Sequence, residues 1–136
     1  MSIQEQIDAA LYEALAANDS LAALVNMRIY SQQTPAGIAY PFVLFQRVAG
    51  GFIHTSPRPA VTVRYQIECV SPSLGTARLG ARFIHAALDR QKIPLDGWNN
   101  YATRGREWFT PAPETFDGTL IWRRGAIYEI RADEIG

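Results

Sequence analysis

From Val61 to Ser71 the chain reads VTVRYQIECVS, with Val61, Val63, Tyr65, Ile67 and Cys69 on one parity and Thr62, Arg64, Gln66 and Glu68 on the other. That two-residue period belongs to a strand with one buried face. At about 3.3 Å per residue the strand reaches about 35 Å, against about five or six residues for a typical strand, and is expected to outrun its core. A second strand is predicted at Phe42 to Ala49, FVLFQRVA, apolar on both faces where it begins and stopped by Gly50 and Gly51. The connection through Pro57 and Pro59 makes the two a long-looped antiparallel hairpin, with Phe52 and Ile53 in the loop. Tyr101 to Phe109 and Leu120 to Ile130 supply further strands around the turn residues TPAPETFDG, and Ile29 to Gln32 a short one. Neither parity of the last strand is cleanly apolar, which predicts a bulge near Gly125.

The helical period appears twice. Ile3, Ile7, Ala10, Leu11, Ala14 and Leu15 recur at three- and four-residue spacing behind Ser2 and Glu5, which have the form of a capping box. Asn18 and Asp19 end that helix near Ala17, and SLAALV adds a further turn. Pro72 to Gln91 carries the stripe Leu74, Ala77, Ala81, Ile84, Ala87 and Leu88, with Pro72 expected in the first helical turn. Ala77, Gly80, Ala81 and Ala87 would let this helix sit close to a sheet. Pro94 to Asn100, PLDGWNN, reads as turn chemistry. The fold class is therefore α+β, one domain over residues 1–136: a mainly antiparallel sheet of about four to five strands, an N-terminal helix and one long helix on one face, and an extended hairpin.

Composition adds little to this picture. With 136 residues, 48% hydrophobic and 19% charged, the chain has the length and content of one ordinary globular domain. No apolar run approaches the roughly 18 residues of a membrane span, and the N-terminus lacks a signal-peptide layout, so a reducing cytoplasm is the expected place of synthesis. Cys69, the one cysteine, reads as a small core hydrophobe. Net charge is zero but unevenly spread. Residues 61–106 carry seven Arg and Lys against three carboxylates, and the segment from Glu107 carries three against six. A basic middle and an acidic end are able to attract across a subunit boundary, or to make a solvated surface of mixed sign. Arg78, Arg82 and Arg90 lie off the helix stripe without interleaved aromatics, which favours a solvated face over a phosphate track.

Catalytic chemistry finds no foothold. The two histidines, His54 in the loop and His85 in a helix, belong to no nucleophile elbow. Neither HExxH nor a calcium loop is present, and the glycines form no phosphate-binding fingerprint. No catalytic, cofactor or metal site is assigned.

RIYSQQTPAGIAYPFVLFQRV (Arg28 to Val48), the loop around His54 leading to VTVRYQIECVS, the helix SLGTARLGARFIHAALD (Ser73 to Asp89) and the closing DGTLIWRRGAIYEI (Asp117 to Ile130) together resemble the small tail-completion, or tail-terminator, proteins of long-tailed phages and prophages. Lys92 to Phe116 matches nothing in that pattern. The resemblance implies a non-enzymatic structural protein with no cofactor, found in the neck region of the virion tail after assembly in the bacterial host cytoplasm. It implies self-association into a ring, commonly a hexamer, that caps the head-proximal end of the tail tube, ends tail growth and gives the head a surface to join. Its partners would be further copies of itself, the major tail tube protein and a head connector or head completion protein, with no membrane and no specific nucleic acid. Phe52, Ile53, His54, Arg58, Arg64, Gln66, Glu68, Arg123 and Arg124 are then the candidates for subunit or partner contacts. The alternative is a small α+β ligand-binding or enzymatic domain with a pocket near Trp98 to Phe109, lined by Trp98, Tyr101, Trp108 and Phe109.

Overall fold

Three helices pack on one face of a six-stranded mixed sheet. The computed structural model describes residues 2–54 and 59–135, and their side chains other than those of 49–54, 59, 105–107 and 109. In chain order the elements are α1 (Ile3–Ala16), α2 (Asp19–Val25), β1 (Ile29–Ser31), β2 (Phe42–His54), β3 (Pro59–Ser71), α3 (Leu74–Leu88), β4 (Trp98–Phe109), β5 (Glu114–Phe116) and β6 (Thr119–Glu134). The sheet order is β1-β2-β3-β6-β4, with β5 pairing the start of β6. Among the described strands β1 lies parallel to its neighbour and the other pairings are antiparallel.

Each helix starts on a side chain that accepts a bond from an otherwise orphaned N–H. Ser2 Oγ accepts from Glu5 N at 3.1 Å, Asn18 Oδ1 from Leu21 N at 2.9 Å and Ser73 Oγ from Thr76 N at 3.3 Å. The long helix therefore begins after Ser73, not at Pro72, because Ser71 Oγ is taken up by the N–H of Ser73 at 3.0 Å. It ends at Leu88, short of Gln91, where Asp89 leaves the helical conformation.

The expected parity of β3 holds. Val61, Val63, Tyr65, Ile67 and Cys69 are all buried under the helices, joined by Val43 and Phe45 from β2 and by Ala126, Tyr128, Ile130 and Ala132 from β6. Each large apolar side chain so placed contributes about 1.5–3 kcal/mol. Because every residue of this parity from Val61 to Cys69 is buried, β3 does not outrun its core there. Burial pushes the Cys69 thiol up to about 12, as befits a core residue. Gly80 of α3 lies directly on Cys69: a Cβ there would stand 2.3 Å from the sulfur.

Four expectations are corrected. Gly50 and Gly51 do not stop β2, which runs on to His54, because Val63 and Thr62 of β3 continue the ladder opposite them; Phe52 and Ile53 thus lie in a strand rather than a loop. Trp98, Asn99 and Asn100 begin β4 instead of forming a turn. The buried Asn100 carboxamide accepts from Ile93 N at 2.7 Å and donates to Ile93 O at 3.0 Å, reproducing a strand pairing with a side chain. Gly125 is no bulge, since its register with Glu68 is regular; the irregularities fall at Val48 of β2 and between Arg104 and Trp108 of β4. Glycine is needed at 125 for a different reason, because a Cβ would stand 1.9 Å from the Ile67 carbonyl oxygen.

A backbone clash in the middle of a sheet has no flexible end to yield. Gly125→Ala is expected to cost about 3 kcal/mol or more in urea denaturation. Gly75→Ala, whose added methyl meets Ser73 Oγ at an ordinary 3.9 Å, should leave the midpoint unchanged or raised.

Candidate assembly surface

Because α1, α2 and α3 cover one face of the sheet, every residue of opposite parity projects from the other. The β2–β3 end of this outer face is itself covered. Phe42, Leu44, Val70 and Ile121 form a second, smaller cluster beneath Tyr30, Ile38 and Tyr40, and this explains why β2 begins apolar on both parities. Tyr40 stacks on Phe42 at 5.5 Å, and Arg28 holds the connecting segment by donating to the carbonyls of Tyr40 and Pro41 at 3.1 and 3.0 Å.

Beyond that cluster the outer face turns polar. Glu68 marks the boundary. It is 1% exposed, so its place on the polar parity of β3 does not put it in solvent. Arg123 Nη1 donates to Glu68 Oε1 at 2.6 Å, while Glu68 Oε2 and Arg123 Nε are buried without hydrogen-bond partners. Burial pushes the Glu68 carboxyl up; Arg123 opposes the rise, and the nearby Glu114 adds to it. Farther along, Arg64 and Glu129 face each other across β3 and β6 and meet at 3.3 Å. Their side chains are 58% and 31% exposed, so the pair is worth at most about 1 kcal/mol. Ile127 and Tyr101 stand exposed on the same uncovered face.

The structure thus brings Arg64, Gln66, Glu68 and Arg123 onto one face. Arg124, adjacent in sequence, points to the other. Its Nη1 donates to the carbonyls of Pro111 and Arg123 at 3.1 and 2.7 Å, and its guanidinium lies 5.4 Å from the Trp122 ring. Phe52, Ile53 and His54 pair through their backbones with Val61, Ala60 and Pro59, but their side chains, and Arg58 entirely, lie outside the described residues. From Val48 onward the outer edge of β2 has no strand partner among the described residues, because β1 pairs only with Val43 to Phe45.

A second feature was not foreseen. Arg78 and Arg82 of α3, read from sequence as a solvated face, line a cleft of about 420 Å³ together with Ala81, Trp108 and Arg124. The four-residue spacing of the two arginines was visible; the facing Arg124 and Trp108 come from strands that only folding brings opposite. The aromatics of the expected pocket do not converge. Trp98 packs against the core, Tyr101 lies on the outer face, Trp108 walls the cleft, and the Phe109 side chain lies outside the described residues. His85 stands 3.5 Å from both Asp89 Oδ2 and the Tyr128 hydroxyl and 5.2 Å from the Trp108 ring, with no nucleophile in this group. No group of three or more His, Cys, Asp or Glu able to hold a metal converges among the described residues.

Comparison with known proteins gives two kinds of finding. The model of a family described as tail completion protein gp17 matches residues 9–120. A chain from the structure titled virion of native gene transfer agent (GTA) particle superposes with a TM-score of 0.71 at 19% identity, covering 92% of each chain. A second solved chain superposes with a TM-score of 0.61 at 17% identity, covering 100% of this chain and 98% of the other. At these identities the two structures share the fold. No curated protein matches this chain.

The Glu68–Arg123 pair makes a pH-dependent prediction. With its carboxyl raised, the folded protein holds the Glu68 proton more tightly than the unfolded chain does. That contribution to stability is full at low pH and is lost as pH rises through the raised value. Removing the arginine raises the carboxyl further, so Arg123→Met is expected to cost about 3 kcal/mol near pH 8 and clearly less near pH 5 in urea denaturation. Glu68→Gln should be nearly neutral near pH 8, since it removes the buried charge and leaves a partly solvated arginine.

Proposed function

The chain belongs to the tail completion protein gp17 family, a phage tail structural protein and not an enzyme, and on that basis we propose that it closes the head-proximal end of a tail tube as one subunit of a ring. In this reading the ring, a hexamer, ends tube growth in the host cytoplasm and stays in the neck of the virion, where it offers a surface to the head connector. The tube protein binds one side of the ring and a head completion protein the other. The family match over most of the chain carries the reading, and the fold shared with a chain of a gene transfer agent virion supports it. The whole of residues 1–136 acts as one domain.

The geometry suits such a part. A closed ring needs two different patches on each subunit, related by a fixed rotation. An uncovered sheet face, the free outer edge of β2 and the cleft beside α3 are distinct surfaces of one rigid sheet. Burying a mixed polar and apolar face of this kind is usual at non-obligate interfaces, whose composition differs little from ordinary surface. Exposed edge strands are a common means of pairing between chains. Phe52, Ile53, His54 and Arg58 at the hairpin end, with Arg64 and Gln66 on the outer face, are the contact residues in this reading; Arg123 holds Glu68 in place behind them.

The test uses the full chain, alone and with purified tail tubes, followed by light scattering across a wide concentration range. One closed oligomer, or capture on tube ends that stops further lengthening, is the expected result. A chain that stays monomeric and never binds tubes overturns the proposal. Arg64→Glu is expected to weaken assembly about tenfold while shifting the denaturation midpoint little, because its exposed partner contributes at most about 1 kcal/mol to the fold.

A further inference from the structure

We propose that the arginine cleft beside α3 receives the acidic β5–β6 hairpin of a second copy of this chain, giving a head-to-tail contact. The cleft of about 420 Å³ is lined by Arg78, Arg82 and Arg124 with Ala81 and Trp108, and no carboxylate is among its described lining residues. The side chains of Arg78 and Arg82 make no hydrogen bond or ion pair with any described residue, and Arg124 donates to carbonyl oxygens, with no carboxylate partner among the described residues. Trp108 is 41% exposed in the wall, with the Arg104 guanidinium on its ring at 4.5 Å. Three guanidinium groups beside an aromatic surface make a site for a segment that carries carboxylates and an apolar anchor together.

The chain itself presents such a segment. Asp117 and Gly118 turn β5 into β6 with φ of 51° and 78°, a tight two-residue hairpin loop. Glu114 and Phe116 share one face of that hairpin, opposite Ile121 and Thr119. Phe116 is 69% exposed, an unusual place for a phenylalanine. Neither Asp117 nor Glu114 makes an ion pair within the described residues, and Glu114 lies close enough to the buried Glu68 carboxylate to push it up. Among the described residues these carboxylates therefore have no ion-pair cation, and Arg78 and Arg82 no anion. The subunit cannot satisfy them itself, because Ile121 sets the hairpin's acidic face on the outer side of the sheet while the cleft lies on the helix side. Asp133 and Glu134 are poorer occupants, held in the sheet by pairing with Asn99 and Trp98.

A hairpin from one face entering a cleft on the other is a heterologous contact, the kind that closes rings. The inference deepens the ring reading and rests on it. It also makes assembly salt-sensitive, since exposed charges form the contact.

The test measures self-association of the full chain, alone and on tail tubes, by sedimentation velocity. Three variants are compared: Arg78→Glu with Arg82→Glu; Glu114→Lys with Asp117→Asn, the asparagine tolerating the left-handed turn; and Phe116→Ala, whose side chain is too exposed to support the monomer fold. Each is expected to raise the concentration of half-assembly about tenfold or more, and the four charge changes combined should recover most of that loss. Assembly of all three variants at the wild-type concentration overturns the contact and leaves the ring standing. So does loss in the charge variants without recovery in combination. A wild-type chain that neither self-associates nor binds tubes overturns the ring reading and this contact together. Binding to duplex DNA that Arg78→Glu with Arg82→Glu abolishes, while assembly is unchanged, would assign the cleft to nucleic acid and also overturn it.

Discussion

The structure depends on how closely β3 is held on three sides at Ile67 to Cys69. On one edge β2 pairs with it, on the other β6 approaches so near that Gly125 has no room for a Cβ against the Ile67 carbonyl, and from the helix face Gly80 rests on Cys69. These contacts leave no slack for a side chain to fill. Dense interiors transmit small volume changes as strain, so two glycines and a cysteine set the separation of α3, β3 and β6 together. Tyr65 extends the same construction toward α1: its hydroxyl donates to Asp8, which also pairs with Arg47 at 3.0 Å. The helical layer is thereby tied to β2 and β3 by polar contacts as well as by the core.

That one-sided helical cover determines what is left for other molecules. The outer face is closed at one end by Tyr30, Ile38 and Tyr40 and open at the other, and the Glu68–Arg123 pair lies where cover gives way to exposure. A buried carboxylate with one unpartnered oxygen is an expensive residue for a monomer to keep at an otherwise ordinary strand position. Its cost is moderated by the arginine, which reaches toward solvent and carries the charge to the margin of the open face. Arg64 and Glu129, by contrast, are exposed enough to exchange partners without disturbing the fold.

Charge that is balanced over the whole chain is unbalanced over its surfaces. Among the described residues the cleft side of α3 gathers cations without ion-paired anions, and the β5–β6 hairpin holds carboxylates without ion-paired cations beside an exposed phenylalanine. In the ring proposed above such asymmetry would be of use, since identical subunits joined through unlike patches add in one direction. The sheet supplies the rigidity that keeps the two patches at a fixed angle.

Much of this was written in local pattern. The parity of VTVRYQIECVS identified the core face of β3, the caps at Ser2 and Asn18 began two helices, the small residues of α3 foretold its close seat, and Asp117-Gly118 marked the hairpin turn. These features were legible because each depends on residues within a few positions of one another. What the sequence could not carry was the identity of neighbours from elsewhere. Whether Gly50 and Gly51 ended β2 depended on the strand facing them, whether Glu68 met water depended on Arg123 and on the cover beyond it, and Gly125 answered to the Ile67 carbonyl, not to a bulge. Arg78 and Arg82 became the wall of a cleft only when β4 and β6 brought Trp108 and Arg124 across from them. Periodicity fixes which way a side chain points; pairing between distant strands decides what it meets.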